Sequence, residues 1–188
     1  AVFRFDARPE IGGGHAIRCL SLADAMTSAG WECWLAVHPD TQAFIHRLGR
    51  DDLLFILLPN DVGQEPKQIA SHLEGGYCDL LIVDHYKRDI TFETACRRYV
   101  KRIMVIDDLA DRKHDADILL DHNLGRKASD YKDLILNDCR FLIGPTYALL
   151  RPQFNLQRAC CLSNRQKRIS VEKVLISFGL SDIQELAL

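Results

Sequence analysis

No apolar run in this 188-residue sequence approaches the roughly 20 residues that a membrane-spanning helix needs. The opening residues Ala1-Val2-Phe3-Arg4-Phe5-Asp6 alternate like a strand and lack the pattern of a secretion signal, so the expected location is the cytoplasm. Charge of one sign is also lacking: 24 Lys and Arg against 26 Asp and Glu leave a formal net charge of -2. The basic residues are scattered apart from the Arg-Gln-Lys-Arg run at 165–168, which reads as solvated linker, so neither nucleic acid nor an anionic membrane is an expected partner. No C-x-x-C pair occurs among the seven cysteines, whose odd number and apolar surroundings read as reduced, buried thiols. No two of the seven histidines stand at i, i+4, the spacing that turns two imidazoles to one helix face, so no metal and no other cofactor is expected.

What is present is an alternation of short β-rich runs with longer amphipathic stretches, the signature of βαβ units around a parallel sheet with helices on both faces. Strands are expected at 2–6, 32–37, 53–57, 80–84, 102–106 and 118–120, several of them wholly apolar, as strands covered on both faces are. Helices are expected at 16–29, with Gly30 as C-cap, and at 41–48, 64–73 and 91–99. A polar, basic segment at 160–170 reads as a linker between a domain at 1–159 and the opening βα unit of a second one at 171–188, with a strand at 173–177 and a turn at Gly179.

The connection Ile11-Gly12-Gly13-Gly14-His15 joins the first strand to the first helix. Glycines there let backbone approach a ligand closely, and helix N–H groups point into the crevice at the carboxyl edge of such a sheet. The run is not G-x-G-x-x-G, because Ile17 stands where a third glycine is required, which argues against a dinucleotide site. At a helix start His15 is disfavoured as a cation and suited to accept a proton, although a lone histidine here also reads as a cap or a backbone-bonded residue.

Phe3-Arg4-Phe5-Asp6, the glycine turn with Arg18 one helical turn on, and Leu81-Ile82-Val83-Asp84-His85-Tyr86 together resemble the UDP-sugar hydrolases of pseudaminic acid biosynthesis. Ile106-Asp107-Asp108, Asp117-Ile118-Leu119-Leu120-Asp121, Lys127-Ala128-Ser129-Asp130-Tyr131 and Gly144-Pro145-Thr146-Tyr147-Ala148-Leu149-Leu150-Arg151 follow in the order that family shows. The resemblance covers essentially the whole chain. It implies the Rossmann-like N-terminal domain of a GT-B architecture and a reaction in which water replaces UDP at C1 of a 2,4-diacetamido-2,4,6-trideoxy sugar, with inversion. It further implies His15 as the water-activating base and Tyr86 as its catalytic companion. Gly12, Gly13, Gly14, Arg18, Asp84, His85 and Tyr147 are then expected to bind substrate, and Gly179 and Ser181 to contact the nucleotide. Leu180 departs from the pattern, standing where the family has a second glycine, and its side chain hinders close approach of backbone to a ligand. Because most nucleotide contacts in that architecture belong to the second domain, residues 1–188 alone are expected to be inactive. A glycosyltransferase of the same architecture and a non-catalytic stand-alone domain are the alternatives, and the oligomeric state is left open.

Other residues keep two readings. Asp107 and Asp108 follow an apolar strand, where they serve either as paired carboxylates or as a turn cap, since adjacent strand residues point oppositely. Trp31 and Trp34 read as packing around the second strand, with a stacking platform as the other possibility. Tyr147 and Arg151 either border an interdomain cleft or dock their own loop.

Overall fold

The computed structural model describes residues 1–8, 12–136, 138–166, 170–171 and 174–176. Seven strands, β1 (Val2–Phe5), β2 (Trp34–Val37), β3 (Leu54–Leu57), β4 (Cys78–Asp84), β5 (Val100–Ile106), β6 (Ile118–Asp121) and β7 (Arg140–Ile143), form one parallel sheet in the order β3-β2-β1-β4-β5-β6-β7. It is an α/β, Rossmann-like fold. The order runs outward in both directions from the β1–β4 pair, in which Phe5 lies opposite Asp84.

Strand alternation divides the core into two layers. Phe3, Phe5, Leu35, Ile82 and Ile106 face one side, where Ala16, Cys19, Leu20 and Ala23 of α1 (Gly14–Ser28) and Ile45 of α2 (Pro39–Arg47) cover them. Val2, Leu81, Val83, Ile103 and Val105 face the other, against Ile69 of α3 (Glu65–Ser71) and Phe92 and Cys96 of α4 (Ile90–Cys96). Arg4 shares a face with Val2 and is fully buried there, which only paired charge permits.

The six expected strands are all present with shifted ends. The expected C-cap differs by one position: Ala29 caps α1, and Gly30 follows it at φ +89°, donating to Thr27 O while Trp31 N–H reaches Met26 O, a Schellman closure. The helix expected to 99 leaves α-geometry at Cys96 and tightens into a 3-10 turn over Arg97–Tyr99. Besides short 3-10 turns, one strand and one α-helix were not expected. β7 adds an edge strand, and α5 (Pro152–Gln166) carries the first seven residues of the segment read as linker. Its described side chains are exposed, Phe154, Leu156 and Leu162 included.

Residues 174–176 form no strand, whereas 173, 177, Gly179, Leu180 and Ser181 lie outside the described residues. Every cysteine is a free thiol, but Cys160 and Cys161 on α5 are exposed and Cys139 half-buried, so the expectation of buried thiols holds for Cys19, Cys33, Cys78 and Cys96. A helix outside the packed layers has no apolar interior in which to hide them. Among the described residues no helix is long and apolar enough to cross a membrane, and no group of three or more His, Cys, Asp or Glu side chains is placed to hold a metal.

Candidate active site

The chain leaves β1 at Asp6 and returns as α1 through a tight glycine passage. Gly12 has φ +84°, a conformation that side chains resist, and donates its N–H to Arg8 O at 2.8 Å. Gly13 is the N-cap and Gly14 opens the helix, which places His15 at its second position with no acidic residue in the first turn. His15 and Arg18, one turn apart, share a helix face. Both lean on the end of β4, where Asp84 is fully buried.

Asp84 binds four donors. His15 Nδ1 lies 2.6 Å from Asp84 Oδ1, Arg18 Nε 2.6 Å from Oδ2, Arg18 Nη2 also reaches Oδ1, and Cys19 Sγ stands 3.4 Å from Oδ2. Burial opposes the charged carboxylate, but the hydrogen bonds and charge of Arg18 and His15 outweigh it and hold Asp84 below the ordinary carboxylate range. A nitrogen 2.6 Å from an ionised oxygen must carry the proton, so His15 donates through Nδ1 and its Nε2 is the acceptor. Arg18 Nη2 is 3.1 Å from the same Nδ1 but cannot donate to it, because Nδ1 already carries the proton it gives to Asp84. His15 Nε2 makes no hydrogen bond to a described residue, and the ring borders a cleft of about 170 Å³ with Asp6, Arg8, Asp84, His85, Tyr86 and Lys87.

A second histidine–aspartate pair faces that cleft. His85 Nε2 donates to Asp6 Oδ2 at 3.0 Å, while its Nδ1 accepts the Lys87 N–H at 2.9 Å, so both ring nitrogens are committed. Burial and the charges of Arg4 and Arg88 outweigh Asp6 and keep His85 below the ordinary imidazole range. Beneath this pair, Arg4 donates to Asp6 at 2.6 Å and to both oxygens of Glu65, which also accepts Arg88. The lattice fixes the loop after β4 against β1 and α3.

Tyr86 is half-exposed, its ring edge-to-face on His15 at 4.7 Å between centroids. Its hydroxyl is 3.4 Å from Asp108 Oδ2, which also accepts Arg18 Nη1 at 2.9 Å. Asp107 and Asp108 diverge, as their adjacency requires. Asp107 Oδ2 accepts the Ala110 N–H, and Asp107 faces Arg112 and the buried His114.

His15, Asp84, His85 and Tyr86 are therefore brought together on one cleft, whereas Arg18, held on Asp84, and Gly12, Gly13 and Gly14, in the turn that leads into α1, do not line it. Arg18 directs Nε, Nη1 and Nη2 to protein carboxylates. Tyr147 stands in the 3-10 turn Pro145–Tyr147 after β7, three strands along the sheet from β4, and does not line the cleft. Trp34 is half-buried against the core and Trp31 is more exposed, both away from the cleft. Sequence reasoning missed Asp6 as a partner of His85, although it ends a strand at the same edge as Asp84. Glu65 carried no signal, since an acid opening a helix reads as ordinary first-turn charge.

Two histidine–aspartate pairs across a Rossmann crevice, one with an unspent nitrogen, fit several chemistries; the comparison narrows them. The chain is similar to a UDP-sugar hydrolase. The relative is the UDP-2,4-diacetamido-2,4,6-trideoxy-beta-L-altropyranose hydrolase of Campylobacter jejuni, 28% identical over 192 residues, which takes in 100% of this chain and 62% of the relative's length. No family model matches the chain.

Proposed function

We propose that this chain supplies the water-activating half of a cytoplasmic nucleotide-sugar hydrolase of GT-B architecture, acting on a UDP-linked 2,4-diacetamido-2,4,6-trideoxy sugar in pseudaminic acid biosynthesis. The observation that carries the reading is the His15–Asp84 pair, whose geometry leaves Nε2 as an acceptor at the cleft. The similarity to the Campylobacter enzyme supplies the substrate class.

In the proposed reaction a water oxygen attacks C1 of the sugar as its proton passes to His15 Nε2. The bond from C1 to the phosphate oxygen breaks, and UDP leaves with the electron pair. A single displacement of this kind inverts C1. Asp84 stabilises the imidazolium that forms, as the buried carboxylate of a catalytic triad does. UDP is already a stabilised anion, so one base suffices and no residue need protonate the leaving group. Gly12 to Gly14 give the sugar close access to backbone, and Tyr86 borders the water. Nucleotide contacts are assigned to residues that follow α5, with Gly179 and Ser181 among them.

Phosphorus NMR of the full-length gene product with this UDP-sugar tests the reading, with proton NMR reporting the anomer released. The expected result is UDP and inverted free sugar without any added acceptor, and a loss of at least about 10³-fold in His15→Gln, the scale of losing a general base. Sugar transfer only to an added acceptor favours the glycosyltransferase alternative, and undiminished turnover in His15→Gln removes His15 from the mechanism.

A further inference from the structure

We propose that Asp108 is a positioning residue that makes Tyr86 a hydrogen-bond acceptor toward the cleft, joining the loop after β5 to the site.

Asp108 is held at both ends. Its backbone carbonyl accepts Arg126 Nη2 at 2.7 Å and Asn123 Nδ2 at 3.1 Å, and Arg126 is in turn anchored on Asp121. Its carboxylate reaches across to Arg18 and to the Tyr86 hydroxyl. The other oxygen, Oδ1, is buried with no hydrogen-bond partner among the described residues. The contacts the carboxylate makes among the described residues are therefore those of Oδ2, which accepts both Arg18 Nη1 and the Tyr86 hydroxyl.

A phenol has one hydrogen. Burial and the Asp108 charge keep Tyr86 protonated beyond the ordinary range, so that hydrogen is present and goes to Asp108. The oxygen lone pairs are then left for the cleft. A water between His15 Nε2 and Tyr86 Oη would give one hydrogen to each and turn an oxygen lone pair to the sugar. Without Asp108 the phenol hydrogen is free to point at that water and compete for the lone pair that must attack. This step rests on the hydrolase reading; the Asp108–Tyr86 contact itself does not.

Two measurements separate these layers. Near-ultraviolet titration of the unmodified protein, with Tyr86→Phe subtracted, should place the Tyr86 phenol above the ordinary value of about 10, and Asp108→Asn should lower it. A phenol titrating at or below the ordinary value in the unmodified protein, or one unmoved by Asp108→Asn, overturns the proposal whether or not any substrate is turned over. In kinetics, Asp108→Asn should reduce kcat about fivefold with KM little changed, the scale of one ordinary hydrogen bond. In a Tyr86→Phe background the same change should cost about twofold, the remainder reflecting Arg18. Independent, multiplying effects overturn the coupling. Absence of turnover in the unmodified protein refutes the hydrolase reading, and the phenol titration still decides Asp108.

Discussion

Replacing Asp84 with Asn changes one oxygen to an amide and should disable the base while the sheet survives. Asp84 is fully buried, and Arg18 gives it two of its nitrogens, so the substitution takes away the charge that a largely buried guanidinium faces. Removing one member of a buried pair costs on the order of 3–5 kcal/mol. Arg18 keeps Asp108 at 2.9 Å, and 13% of its side chain reaches solvent, so the expected loss is about 2–3 kcal/mol, roughly 5–10 °C in Tm. Asp84 is held below its ordinary range, so its contribution is complete above the unfolded carboxylate value of about 4 and is lost as pH falls through the folded value. The stability gap between the two proteins should therefore be full at neutral pH and close below about pH 4. Either orientation sets the amide nitrogen against an Arg18 nitrogen, and the one that places it at Oδ1 also turns an N–H toward His15 Nδ1, which moves the ring proton to Nε2 and removes the acceptor from the cleft. Turnover should fall on the order of 10³–10⁴-fold, as when a triad carboxylate becomes an amide. Nitrogen NMR of the imidazole reads the tautomer directly, with Nδ1–H in the parent and Nε2–H in the variant. A parent protein already protonated at Nε2, or a variant with full turnover, refutes the reasoning.

Three further perturbations test the surrounding structure. His114 is buried, but the carboxylates of Asp107 and Glu93 outweigh that burial and raise its pKa to about 9, so its stabilisation is full below about pH 6.5 and is lost as pH rises through 9, amounting to about 3 kcal/mol. Urea unfolding at pH 7 and pH 9.5 should show that loss in the parent and not in His114→Gln; equal slopes in the two contradict it. Arg4→Met removes the fully buried cation between Asp6 and Glu65 and should cost about 3–5 kcal/mol in the same assay, with little change if Arg88 alone satisfies Glu65. Gly14→Ala should act in opposite directions on stability and activity. Beyond its own helix turn a Cβ there meets no atom of a described residue within 4 Å, so thermal unfolding should gain about 0.5–1 kcal/mol, while turnover should fall where the sugar closes on this backbone as proposed; unchanged turnover places the ligand elsewhere.

The central strands were legible because both faces of the sheet are covered, which forces apolar runs such as Leu81-Ile82-Val83 into the sequence. β7 was not, because Arg140-Phe141-Leu142-Ile143 is a short edge strand, half-buried at best. The second half of α5, from Cys160, reads as linker because it is polar and basic, and its described side chains are exposed. At the site, Asp84 and Tyr86 stand out by their place at a strand's carboxyl end, whereas His15 by its place alone also reads as a cap, and only the family resemblance singles it out. The work of Arg18 is not legible in either way. A sequence shows a cation one turn from a histidine, and only the register of β1 against β4, with Asp108 arriving from β5, shows that carboxylates of the protein claim it. The Arg4–Glu65 pair was hidden for the same reason, being 61 positions apart in the chain.

The crevice exists because the chain leaves β1 and β4 toward opposite faces, into α1 on one and α4 on the other, so the connections after two neighbouring strands separate. The two pairs are crossed over that gap: the aspartate ending β4 holds the histidine after β1, and the aspartate after β1 holds the histidine after β4. Residue type and location are thus nearly equivalent for His15 and His85. What separates them is the second ring nitrogen. The loop after β4 turns back at once, and its Lys87 N–H takes His85 Nδ1, whereas α1 carries the chain away from His15 and leaves its Nε2 without a described partner. The same pairing that locks one histidine into the loop therefore leaves the other an unspent nitrogen, the feature on which its proposed role as a base rests. A histidine with both nitrogens spent holds the wall, and the one with a nitrogen to spare is the one that can take a proton.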